Sequence, residues 1–261
     1  MKNTIVLLLT ALTMTSAWAN DKPIRVGDFA LLDNRGDFHQ MNWYQDHRAV
    51  VMLATSASCE GDTGAIQTYG KLKTKFSEQG VAFMLLNADG STDRAQVTTR
   101  MQQLGIDSVA LMDDSQLVSE TLGVERSGEF IVYDPNSFSV LYRGHDPQVI
   151  SAKLSGATDS AIDEDYPPAA SSGCAINYKA YAKSDRVPSY SHDVAPILAE
   201  NCATCHRDGG VAPFAMDSHL MVKGWSPMIR ETLMTKRMPP GQVDPHIGKF
   251  NSLSLTTAEM Q

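Results

Sequence analysis

Cys202-Ala203-Thr204-Cys205-His206 is the stretch of this chain whose residue types and spacing most directly do chemistry. Two thiols in a C-x-x-C-H run can form thioethers to the two vinyl groups of one haem, while the adjoining imidazole reaches the iron. Two other uses of the same residues stand beside this one. A zinc site needs further ligands at finger-like spacing, and neither His219 nor His246 falls there. A plain Cys202–Cys205 disulfide leaves His206 without a task. Of the four cysteines, Cys59 and Cys174 remain. In an oxidising compartment they can pair across 174 − 59 = 115 residues, or Cys59 can stay a free thiol.

The start of the chain supplies such a compartment. Lys2 precedes an apolar run from Ile5 to Leu12, and Ala17-Trp18-Ala19 puts small residues where a signal peptidase needs them, so 1–19 reads as a signal peptide and Asn20 as the mature start. That run falls short of the ~20 apolar residues that cross a bilayer, and no later stretch is long enough. A soluble periplasmic protein without a transmembrane segment follows. With 22 Lys+Arg against 30 Asp+Glu the net charge is −8, and losing Lys2 with the signal makes it −9. A basic footprint for nucleic acid is absent; the acidity serves solubility or favours a basic partner.

The elements that must position these residues divide into two regions. Residues 22–160 alternate between strand and helix. Val50 to Thr55 and Val81 to Leu86 are continuous apolar runs, as in strands buried on both faces. Between them Ile66, Tyr69, Leu72 and Phe76 fall at helical spacing, ending at Gly80. Asp93 can cap a second helix through Val97, Met101 and Leu104, Val109 to Met112 gives a third strand, and Ser115 to Leu122 a short helix. Glu129 to Tyr133 and Ser139 to Tyr142 flank the turn residues Asp134-Pro135-Asn136 and predict a hairpin, followed by a helix from Pro147 to Leu154. The sum is an α/β sheet with helices on both faces.

This order, with Cys59 just after the first buried strand, resembles the thioredoxin-like redoxins, including peroxiredoxin-like and thiol-disulfide oxidoreductase families. The resemblance implies a thioredoxin-like fold with Cys59 as the attacking, catalytic cysteine, its thiol activated at a helix start. The chain departs from those patterns. Asp62 stands where a thioredoxin resolving cysteine would be. Met52 replaces the proline seven residues before a peroxiredoxin cysteine, although Ser56 keeps the hydroxyl three before it. Ser127-Gly128-Glu129 replaces the Thr-Pro-Glu that ends with the hairpin strand.

Residues 161–189 have linker composition, with Asp163-Glu164-Asp165 and Pro167-Pro168. Cys174 sits there in Gly173-Cys174-Ala175-Ile176, an apolar patch suited to docking on something. Residues 190–261 predict a small all-α domain. Val194, Ile197 and Leu198 repeat at helical spacing toward Cys202, and a helix is expected from Ser226 to Lys236 with Pro227 in its first turn. Thr256-Thr257-Ala258-Glu259 fits a capping box.

Ser191 to Phe214, with Arg237-Met238-Pro239-Pro240 and Asp244-Pro245-His246, resembles the cytochrome c module of bacterial redoxin–cytochrome fusion proteins. That likeness implies one covalent haem c on Cys202 and Cys205, with His206 and Met238 as iron ligands, and electron transfer to or from a periplasmic redox partner protein. Met238 lies 32 residues after His206, just past the expected helix end; Met216, Met221, Met228, Met234, His219 and His246 compete for the role. A thiol-disulfide oxidoreductase or a peroxidase-like haem enzyme is the alternative activity. Such fusions often continue into a copper type II, ascorbate-dependent monooxygenase module, to which this chain would deliver electrons. A capping box so near Gln261 gives the expectation that the chain is truncated within its cytochrome c-like domain.

Overall fold

The computed structural model describes residues 23–156, 173–178, 187–248, 250 and 254–260. The expected signal peptide and most of the expected linker lie outside these.

One eight-stranded sheet organises the first region. Its strands are β1 (Ile24–Arg25), β2 (Ala30–Asp33), β3 (Phe38–Gln40), β4 (Ala49–Thr55), β5 (Val81–Asn87), β6 (Ala110–Met112), β7 (Phe130–Asp134) and β8 (Ser139–Gly144), in the order β1-β8-β7-β4-β5-β6-β2-β3. β4, β5 and β6 run parallel, whereas β7 is antiparallel to β4 and forms the expected hairpin with β8. Successive side chains point to opposite faces and both faces are covered, so the central strands are apolar along nearly their whole length. Val51 and Leu53 of β4, Leu85 of β5 and Val132 of β7 face one layer; Val50, Met52, Leu86 and Ile131 face the other.

The first layer is closed by α1 (Thr63–Phe76), α2 (Arg94–Gln103) and α4 (Pro147–Ser155), through Tyr69, Leu72, Phe76, Val97, Met101, Ile150 and Leu154. Burying each large apolar side chain stabilises by about 1.5–3 kcal/mol before entropy is counted. Asp93 caps α2 as expected, and Gln96 returns a bond to the Asp93 amide, completing a capping box. The second layer takes Phe29, Leu31 and Met41, then Val118 and Leu122 from α3 (Leu117–Thr121) and its C-terminal flank. Met234, from the second region, joins this same layer.

Beyond residue 187 the described elements are helical: a π-turn over Tyr190–Val194 leading into α5 (Ala195–Asn201), then α6 (His219–Met234) and α7 (Thr257–Met260). α6 corrects the expected start at Ser226. It begins seven residues earlier, where the Ser218 hydroxyl accepts from the Met221 amide, and it carries Pro227 in its interior. Proline has no N–H for the Lys223 carbonyl one turn back; the Ser226 hydroxyl donates to that carbonyl at 2.9 Å and so keeps the helix continuous. At α7 the expected box is present, Glu259 accepting from the Thr256 amide and Thr256 Oγ1 from the Glu259 amide.

Candidate functional site

Cys59 follows β4 in a turn closed by its amide to the Ser56 carbonyl, and its carbonyl accepts from Arg100 at 3.2 Å. It precedes α1 by four residues, so the expected activation in the first turn of a helix does not reach it: a terminal dipole falls off within that turn. The position three on from Cys59, Asp62, is instead buried. One of its oxygens lacks a hydrogen bond, and Arg100 is 3.9 Å away. Burial raises the Asp62 carboxyl above its ordinary range, against the opposing pull of Arg100. Ser56 and Ser58 both donate to Asp89 at 3.1 Å. Burial alone would raise Asp89, but hydrogen bonds from Ser91, Thr92 and Ser56 hold it below the usual range.

A disulfide joins Cys59 to Cys174, with Cα atoms 5.9 Å apart. The two ends differ in access: Cys59 is 1% exposed, whereas Cys174 faces solvent. The segment around Cys174 is held by main-chain bonds. Ser127 donates its amide to the Cys174 carbonyl at 2.8 Å, Ile176 donates to the Glu125 carbonyl at 2.9 Å, and Arg126 and Ala175 form an antiparallel bridge. Beside the disulfide opens a cleft of roughly 360 Å³, bordered by Ser56, Ser58, Asp89, Asp114, Gln116 and Thr257.

The second set of expected residues lies elsewhere. Cys202 and Cys205 are free and half-buried, and burial pushes the Cys202 thiol up. The Cys202 carbonyl accepts from the amides of both Cys205 (3.1 Å) and His206 (2.9 Å), so a single tight turn carries both thiols and the imidazole. His206 is buried, with Nδ1 3.0 Å from the Phe214 carbonyl. A carbonyl can only accept, so Nδ1 carries the proton and Nε2 keeps its lone pair for a metal. The Phe214 ring packs on His206 and stacks in turn on Trp225. Among the described residues no three His, Cys, Asp or Glu side chains are grouped to hold a metal ion by themselves, which leaves the zinc alternative without its ligands.

Three of the expected competitors of Met238 have other partners. His246 Nε2 lies 3.0 Å from Asp114, and Met234 is buried against the sheet. His219 packs its ring on Tyr190. Met238 follows α6, half-exposed, its amide bonded to the Thr232 carbonyl. Sequence reasoning missed Arg100 and Glu125, whose roles depend on where α2 and the loop before β7 come to rest. Among the described residues no helix is long and apolar enough to cross a membrane.

No family model matches the chain, and no curated protein matches it either. Solved structures do resemble it. An uncharacterized conserved protein from Geobacillus kaustophilus is 17% identical, over 60% of this chain and 92% of its own, with a TM-score of 0.48. Peroxidoxin BcpB from Mycobacterium tuberculosis is 18% identical, over 54% of this chain and 99% of its own, with a TM-score of 0.44. The thioredoxin domain of a thiol-disulfide oxidoreductase from Bacteroides vulgatus is 15% identical, over 53% of this chain and 99% of its own, with a TM-score of 0.42. None of these likenesses assigns a chemistry to this chain.

Proposed function

We propose that this chain is an extracytoplasmic thiol–disulfide redox protein, with Cys59 and Cys174 as its exchanging pair, joined to a cytochrome c-like half that transfers electrons through one covalent haem c. The asymmetry of the disulfide carries the first part. A partner thiolate can approach from the side of the exposed Cys174; a bond to the partner forms at the Cys174 sulfur, the bond to Cys59 breaks, and the electron pair leaves on Cys59. A second partner thiol completes the reduction, and the partner leaves as its own disulfide. The Arg100 guanidinium, already on the Cys59 carbonyl, is the nearby positive charge that favours a thiolate. The bridge itself suits an oxidising compartment such as the periplasm.

Equilibration in thiol buffers of graded potential, followed by alkylation and mass spectrometry, tests this reading. The expected result is reversible opening with both Cys59 and Cys174 alkylated in folded protein. Opening only after denaturation would mark the bridge as structural and overturn it.

The haem half rests on its donor set. Cys202, Cys205 and a His206 with Nε2 free are the residues a c-type haem needs, and the Phe214 and Trp225 rings beside them suit a large planar apolar ligand. Among the described residues of this half, Leu198 and Met234 are the large apolar side chains that are buried, whereas Leu220, Trp225, Met228, Met238, Ile247 and Phe250 reach its surface. The haem would supply an iron that cycles between two oxidation states. Within the chain, Cys202 and Cys205 would anchor it, the Phe214 carbonyl would hold the His206 ring, and Met238 would fill the sixth position. The net negative charge favours a basic redox partner, and a copper monooxygenase module is one class of acceptor. Protein made with a haem-attachment system should stay coloured through denaturing electrophoresis, and Cys202→Ala should alter its haemochrome; loss of colour on denaturation would refute covalent attachment.

A further inference from the structure

Residues 173–176 lie in a shallow trough between the 125–127 loop and Cys59 in the manner of an added strand. We propose that this trough is a docking site for an extended Gly-Cys segment, and that the chain's own 173–176 is its resident occupant, shutting other peptides off from Cys59.

The contacts that hold the occupant are almost all to its backbone. The Cys174 carbonyl takes the Ser127 amide, the Ile176 amide goes to the Glu125 carbonyl, and the Cys174 amide points at Ser127 Oγ (2.9 Å) and Cys59 Sγ (3.1 Å). Arg126 donates to the Gly173 carbonyl at 2.5 Å. Such bonds give affinity without reading side chains, as in strand addition generally. The Ile176 side chain packs against the second layer of the sheet, and the sharpest selectivity comes from Gly173. A Cβ on Gly173 would lie 1.7 Å from the Ser127 carbonyl oxygen and 2.6 Å from its carbon, both backbone atoms that cannot yield, so only glycine fits directly before the cysteine. Since nothing in this pattern requires the occupant to be part of the same chain, a second polypeptide presenting Gly-Cys in extended form can take the place once the resident segment leaves.

The covalent step rests on the thiol-exchange reading, while the docking does not, and the test separates them. In Gly173→Val/Cys174→Ser the valine is driven off Ser127, emptying the trough while Cys59 and 125–127 keep their sequence. The probe is Ser-Gly-Cys-Ala-Ile-Asn with its cysteine in a mixed disulfide to thionitrobenzoate. Attack by the Cys59 thiolate forms the protein–peptide disulfide, breaks the bond to thionitrobenzoate and releases it as the coloured thiolate. The Gly-Cys peptide should react at least about tenfold faster than Ser-Ala-Cys-Ala-Ile-Asn, a difference of ~1.4 kcal/mol. N-methylation at its isoleucine, which removes the bond to the Glu125 carbonyl, should slow it similarly. Cys174→Ser alone should keep the same preference at a lower rate, because the resident segment still competes. Equal rates for the three peptides would overturn the docking site while leaving Cys59 a reactive thiol. If Cys59 reacts with none of them, the exchange reading fails, and anisotropy of labelled Ser-Gly-Ser-Ala-Ile-Asn decides the docking. Binding by the double variant but not by the disulfide-closed protein upholds it, and binding by neither refutes it.

Discussion

Arg94, at the first position of α2, donates to Asp244 Oδ2 at 2.7 Å and so ties the sheet domain to the loop beyond α6. Both side chains are mostly buried, which limits screening by salt. With His246 on Asp114 and Arg230 on Thr121, it fastens the haem-motif half to the end of the sheet where α3 lies. Asp244→Asn removes the charge and keeps the shape. Denaturant unfolding should show a loss of roughly 1.5–3 kcal/mol, the range for a hydrogen bond to a charged group; an unchanged midpoint would mean the pair holds nothing together.

The Met238 side chain is exposed just past the end of α6, whereas His246 is bonded to Asp114 and Met234 is buried against the sheet. Met238→Ala in the haem-loaded protein should therefore abolish the near-infrared band of methionine on ferric iron. His246→Ala and Met234→Leu should retain it. Retention in Met238→Ala would move the sixth ligand elsewhere.

Breaking the Cys59–Cys174 bridge releases a closed span of 115 residues in the unfolded chain. Cys174→Ser should lower stability by about 2–5 kcal/mol, read from denaturant midpoints under non-reducing conditions. Added reductant should bring the parent protein to the level of the variant. A variant as stable as its parent would show that the main-chain bonds of 173–176 suffice.

Asp62 sets a pH dependence. Its folded pKa is raised, so between the unfolded and folded values the native state binds more protons, and stability falls as pH rises through that window. Asp62→Asn removes the cost of ionising a buried carboxyl. The melting temperature should rise relative to the parent at neutral pH, and the gap should close as pH falls below the ordinary carboxylate range. A gap independent of pH would point to packing as the cause.

Much of the sheet was legible because β4 and β5 are apolar on every residue but the last and the Asp134-Pro135-Asn136 turn announces its hairpin. β2 was not legible: Asp33 ends it as a fully buried carboxylate, bonded to the amides of Arg35 and Asp37 and to His39, and a buried acid reads as loop. The early start of α6 was hidden by Gly224 and Pro227; the N–H that the proline lacks is replaced by the Ser226 hydroxyl. Gly173-Cys174-Ala175-Ile176 was recognisable as a docking patch, but its destination was not. The bonds that place it belong to the backbone, and the clearance that selects Gly173 exists only once Ser127 stands opposite.

The pairing of Cys59 with Cys174 also bears on the order in which the chain must mature. Four thiols admit three complete pairings. In an unfolded chain, closing the short ring between Cys202 and Cys205 costs far less entropy than bringing Cys59 to Cys174. Oxidant arriving before the sheet has formed therefore captures the wrong pair and consumes the two thiols of the C-x-x-C-H turn. Once β4, β7 and the 125–127 loop are in place, the main-chain bonds to 173–176 act as a template and reverse that preference. Maturation is thus a race between collapse of the first half and the local oxidant, and slowing that collapse should appear as protein locked in the non-native bridge.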